Sequence, residues 1–110
     1  MQISKEVLID ISADASNSTG VQTDGLLLSG IVFPATMTGT AVTFDFAFDG
    51  SAWVDVEETD GTDVSYTVSA GDVVRVDPSG WAFATGGFLR VTSNGTEAAD
   101  RSIQLIFKSS

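Results

Sequence analysis

Val42-Thr43-Phe44-Asp45-Phe46-Ala47-Phe48-Asp49-Gly50 is the stretch that decides how this chain folds. Large apolar groups stand at every second position with polar or small groups between them. That period of two belongs to a half-buried β-strand. In the register that keeps Asp45 and Asp49 in water, Val42, Phe44, Phe46 and Phe48 all face the core. Asp49-Gly50 then marks a reversal, because a primed hairpin turn needs positive φ and glycine accepts it without a Cβ clash.

The same alternation recurs along the chain, in Val7, Ile9 and Ile11, in Val64, Tyr66 and Val68, in Leu89 and Val91, and in Ile103, Leu105 and Phe107. Residues 25–33 form a more continuous apolar run, read as one strand buried on both faces or as two short strands split at Ser29-Gly30. Asp60-Gly61 and Asn94-Gly95 are further hairpin signals. Pro34 and Pro78 each close a strand, since proline cannot donate to a ladder. No stripe of helical period is present, and residues 96–102 leave room for one helical turn. About eight short strands, with turns roughly every 8 to 12 residues, make the chain all-β, an antiparallel β-sandwich. Jelly-roll and immunoglobulin-like connections both fit, because alternation says nothing of connectivity.

The 110 residues are read as a single domain over positions 1–110. A chain of this mass buries about two-thirds of its unfolded surface, enough for one core. A hydrophobic content of 43% keeps it clear of disorder despite a net charge of -10. The first six residues, Met1-Gln2-Ile3-Ser4-Lys5-Glu6, lack the basic-then-apolar profile of a signal peptide, and no apolar run is long enough to span a membrane. Asn17-Ser18-Thr19 and Asn94-Gly95-Thr96 match the glycosylation pattern, which carries no weight without a secretion signal.

The chain has neither cysteine nor histidine. Disulfides, thiolate metal sites, the commonest general base and the best nucleophile are therefore all missing. A Ser–Lys pair would need Lys5 or Lys108, both near the termini, where side chains are solvated. The glycines read as turns, since none forms a phosphate cradle between a strand and a helix. We therefore expect no enzyme, no cofactor and no metal. Lys5, Arg75, Arg90, Arg101 and Lys108 are the only basic residues and are scattered, so neither nucleic acid nor an anionic membrane is an expected partner.

Carboxylates are dense between positions 45 and 63: Asp45, Asp49, Asp55, Glu57, Glu58, Asp60 and Asp63. A glycosidase pair would need a cleft. A calcium loop would need other offsets than those of Asp55, Glu57 and Asp60 from Gly61. We read Asp45, Asp49 and Asp55 as solvent-facing strand positions and residues 55–63 as a wet hairpin. The aromatic residues Trp53, Trp81, Phe83 and Phe88 would suit a sugar-stacking platform, as in carbohydrate-binding modules, but packing against the core accounts for them more simply. Residues 78–87 form a loop that carries Trp81 and Phe83, expected to tuck against the end of the sandwich. Where such a loop is exposed it marks a protein contact, so Trp81 and Phe83 are the candidate partner-contact residues.

Three stretches carry a family likeness. Residues 46–56, from Phe46-Ala47-Phe48-Asp49-Gly50 to Trp53-Val54-Asp55-Val56, resemble the strand, Asp-Gly, Trp, strand hairpin of small phage virion structural proteins. Residues 68–78, from Val68-Ser69-Ala70-Gly71 to Val76-Asp77-Pro78, resemble their strand, Ala-Gly, strand, Asp-Pro segment. Phe88-Leu89-Arg90-Val91-Thr92-Ser93 and Ile103-Gln104-Leu105-Ile106-Phe107 are similar to their closing strands. The likeness covers about residues 25 to 108 and rests on order and length. It implies a β-sandwich of the capsid decoration, head-spike or head-fibre kind. Such a protein would be made in the host cytoplasm and assemble on the virion surface, as a homo-oligomer, most often a trimer, docked on the major capsid protein or another virion protein. The alternative is a carbohydrate- or host-surface-binding module of a tail or adhesion structure.

Overall fold

The computed structural model describes residues 3–109. Within them the chain forms β1 (Ser4–Ile11), β2 (Val21–Gln22), β3 (Leu27–Val32), β4 (Ala41–Ala47), β5 (Val54–Asp55), β6 (Ser65–Thr67), β7 (Val73–Arg75), a 3-10 helix (Pro78–Ala84), β8 (Phe88–Ser93) and β9 (Arg101–Lys108). Two antiparallel sheets result. One has the order β1-β9-β3-β7 and the other β2-β8-β4, with β5 and β6 side by side along the remaining edge of β4. β5 and β6 are two halves of one interrupted strand, and the hairpin between them leaves the sheet. Every connection other than those within the β4–β5–β6 run crosses from one sheet to the other. That crossing pattern is a jelly roll, and it decides against the immunoglobulin-like connection.

Ile9, Ile11, Leu28, Ile31, Leu89, Val91, Ile103, Leu105 and Phe107 lie between the sheets with essentially no exposed surface. All but Leu28 and Ile31, which belong to the continuous apolar run, come from strands in which the sequence alternates, and there the inward faces are those that periodicity picks out. The apolar run 25–33 is one strand. Its register slips between Leu28 and Gly30 against β9, so Ser29 forms a bulge where the sequence offered a break.

β4 both bears out and corrects the sequence reading. Val42, Phe44 and Phe46 are buried, but Phe48 is 81% exposed. The side is right and the extent is wrong. β4 stops at Ala47, the chain reverses through Gly50 at φ +81°, and Phe48 projects past the end of the core. Asp45, expected in water, is only 6% exposed. Arg90 stands directly opposite it on β8 and donates from Nε at 2.8 Å, and the Thr92 hydroxyl donates at 3.1 Å. A charge on the outer face is thus covered by its own cross-strand partner.

The helical turn lies elsewhere than the sequence offered it. Residues 96–102 hold no helix, whereas Pro78–Ala84 form one, started by Asp77, whose carboxylate accepts from the Ser79 N–H at 3.1 Å. Proline at the first helical position needs no hydrogen-bond partner and already has the right φ. Asn94-Gly95 is likewise no tight hairpin. Asn94 instead accepts from the N–H groups of Thr40 and Ala41 at 2.9 and 3.3 Å, pinning the start of β4. The 55–63 segment is a hairpin as expected, bridged between Glu57 and Asp63, with Gly61 at φ +87° and an exposed tip.

Candidate functional site

Three of the six large apolar side chains exposed among the described residues, Phe48, Val54 and Phe83, gather where β4 ends. Phe48 meets the ring of Phe46 edge-on, with centroids 4.8 Å apart. Phe83, 53% exposed, reaches the same ring from the 3-10 helix at 5.7 Å. Val54, 62% exposed, opens β5 directly opposite Phe46. Together they border a groove of about 370 Å³, with buried Val56 beneath and exposed Asp55 and Glu57 beside it. Solitary exposed apolar residues are ordinary, but a contiguous cluster rimmed by charge is the usual mark of an interaction surface.

Of the two residues singled out as partner contacts, only Phe83 lies on this surface. Trp81 is 3% exposed and packs edge-on against Phe44 at 4.8 Å. The reason is the period of the helix. Three residues per turn align Trp81 with Ala84, and both point inward. Phe83 falls off that line, its ring stacked on Trp81 at 5.8 Å.

The sugar platform is not assembled. Trp53 lies beneath the Arg90 guanidinium, 4.7 Å from its ring, and its indole sits where any side chain at Gly20 would collide with it. Phe88 packs over Gly50. With Trp81 in the core, the four aromatic groups present no common exposed plane, and the rings at the groove meet edge-on.

Between positions 45 and 63 some carboxylates have a local task and others do not. Asp49 accepts from the N–H groups of Ala52 and Ser51, which hold its pKa below the ordinary value. Asp60 is lowered in the same way by the Thr62 N–H and hydroxyl. Asp55 faces Asp45 across the β4–β5 ladder. Its pKa is raised, first by sharing a hydrogen bond with the Asp45 carboxylate, then by the charge of Asp45, with smaller contributions from burial, Asp63 and Glu57. Among the described residues no group of three such side chains is close enough to hold a metal ion.

Sequence reasoning missed Glu97. It lies in a polar stretch, yet it is fully buried at the opposite end of β4. Its carboxylate accepts from the N–H groups of Thr38 and Gly39 at 2.8 and 2.9 Å, from the Ser93 hydroxyl at 2.8 Å and from Arg101 Nε at 2.9 Å. Burial alone would push its pKa up, but these four donors hold it down at about 2. A Cβ at position 39 would run into Ser93 Oγ, so glycine is what lets the backbone approach the carboxylate. The pairing of Glu97 with Arg101 at i, i+4 and the Ser93–Glu97 spacing were visible, but neither announces burial.

No protein-family model matches the chain, and no curated protein matches it. Among solved structures it is similar to one described as "Bacillus endospore appendages form a novel family of disulfide-linked pili". The identity is 14% over 100% of this chain and 88% of that one, with a TM-score of 0.47. No residue role is carried over from it.

Proposed function

We propose that this jelly-roll domain is a non-catalytic structural protein of a bacteriophage particle, of the capsid decoration type, and that it works through its surface. The observation that carries the reading is the apolar cluster of Phe48, Val54 and Phe83 around its charged rim. Such a cluster opposes solubility and is kept where a partner covers it. The order of hairpins, similar to that of phage head proteins, supports the virion as the place and a homotrimer as the form. Fold alone assigns neither, since jelly rolls serve both capsids and lectins. A standard interface takes about 800 Å² from each partner, a small share of the 5843 Å² surface of this chain. Attachment by several copies at once strengthens such contacts without new chemistry.

Sedimentation tests the reading. The purified protein is mixed with heads of the parent phage assembled without it, and the pellet is assayed. It should pellet with those heads and stay in solution without them. A protein that never pellets with heads, yet binds a defined glycan as an isolated domain, is an adhesion module instead.

A further inference from the structure

We propose that copies of this chain associate head to tail, with the acidic apolar groove at Phe48 on one copy taking the β7 side of the outer face of the β1-β9-β3-β7 sheet of the next. This deepens the reading of an assembling structural protein by naming the two surfaces. It does not depend on what particle the assembly decorates.

The groove dictates what can fill it. Its exposed walls are Phe48, Val54 and Phe83, and its only charged side chains are the carboxylates of Asp55 and Glu57. An anion is repelled and a sugar finds no side-chain donor. An apolar group flanked by cations fits. Asp55 strengthens the demand for positive charge. Like charges directly opposite in a ladder are destabilising, and Asp55 stands opposite Asp45 with Glu57 and Asp63 also bearing on it. Arg90, the cation nearest this group, is already committed to Asp45 on the β8 side.

Among the described residues, one place offers those cations. Lys5 is paired with Asp24, Arg90 with Asp45 and Arg101 with Glu97. Arg75 and Lys108 are in no ion pair among the described residues, and they line the same depression beside Ser29, Pro78 and Asp77, whose carboxylate is taken up by the Ser79 N–H and hydroxyl. Next to them on the outer face of the sheet is Val73 (59% exposed), two residues from Arg75 on β7, whereas Leu8 (65% exposed) stands at the opposite edge, on β1 between the exposed Glu6 and Asp10. The β7 side of that face, with Val73 and the two cations that no ion pair engages, thus complements an apolar groove carrying uncommitted carboxylates. The two surfaces are different parts of one molecule, so the contact is heterologous. Such contacts build closed rings of three or more, or filaments, and do not stop at a twofold dimer.

Charge reversal tests this in both directions. Light scattering on the intact protein should give a concentration-dependent mass of at least three chains. D55K/E57K should weaken association by about tenfold or more, as loss of interface anchors does. It also brings the chain nearer neutrality, which by itself would promote association, so the sign discriminates. R75E/K108E should weaken association comparably, and all four substitutions in one chain should restore it. F48S/F83S should abolish it with no change of charge. Unchanged melting temperatures verify that each variant folds. A strict monomer at high concentration, a dimer as the largest species, or a four-fold variant that stays monomeric overturns the proposal. A monomer that still pellets with phage heads overturns only this contact and leaves the decoration role standing. An oligomer that never pellets does the reverse.

Discussion

The two ends of β4 are finished in opposite ways. At Ala41 the chain is closed by polar groups. Asn94 accepts from the N–H groups of Thr40 and of Ala41, the first strand residue, while Glu97, sealed from water, collects four donors from residues 38, 39, 93 and 101. At Ala47 it is left open, and Phe48, Val54 and Phe83 stay in solvent around a pair of opposed carboxylates. One carboxylate is buried and fully satisfied, and the other is exposed and strained by its neighbour. The closed end holds the sandwich together, and the open end has surface to spare for another molecule. Charge counts cannot separate two such carboxylates; the donors around each one do.

The sharpest test of this contrast takes the last aromatic inside β4 and the one just past its end. Phe46→Ala should cost roughly 3–5 kcal/mol, as truncation of a buried aromatic does, and lower the melting temperature by more than 10 °C or so. Phe48→Ala, two positions on, should change it by no more than a degree or two. Equal losses at both positions would mean that the core extends past Ala47 and that the open end is not open.

Glu97 comes next. Glu97→Ala leaves the Arg101 guanidinium, the buried Gly39 N–H and the part-buried Thr38 N–H without their acceptor, a loss of about 3 kcal/mol or more by the rule for broken buried pairs. The acid titration gives the same result with its sign fixed. A folded pKa of about 2 against an ordinary 4.5 stabilises the fold by on the order of 3 kcal/mol. That contribution is complete above pH 4.5 and is lost as pH falls from there toward 2. Thermal melts of the wild type and of Glu97→Gln should therefore converge through that window. Parallel curves would show that the carboxylate is not held ionised.

How much of this could be read beforehand follows from the range over which each determinant acts. Strand faces were legible because period two is local, and every inward residue of β1, β8 and β9 lies where alternation puts it. The end of the core was not, since Phe48 differs from Phe46 only in what the rest of the fold brings over it. Trp81 and Phe83 were legible as aromatic neighbours, but assigning one to the core and one to the surface needed the three-residue helical period. That helix had a signal, Asp77-Pro78-Ser79, which a search for long apolar stripes passes over. Glu97 depends on partners from residues 38 to 101, and no short-range pattern encodes such a meeting. The jelly-roll connection is of the same long-range kind.

Removing the opposed charge at the open end should give the smallest change, and it should be a gain. The folded pKa of Asp55 is raised, chiefly through Asp45, so folding is penalised wherever Asp55 is forced to ionise. The penalty is present at neutral pH, lessens as pH falls through the folded value, and is gone below the ordinary value of 3.8. Asp55→Asn should therefore melt slightly above the wild type at pH 7 and level with it at pH 3, at concentrations too low for association. Asp49→Asn should move the other way, because that carboxylate is stabilised by the turn N–H groups it accepts from. A loss of stability at pH 7 in Asp55→Asn would mean that its charge is already satisfied within the monomer. The groove would then have no call on a cation from a neighbouring copy.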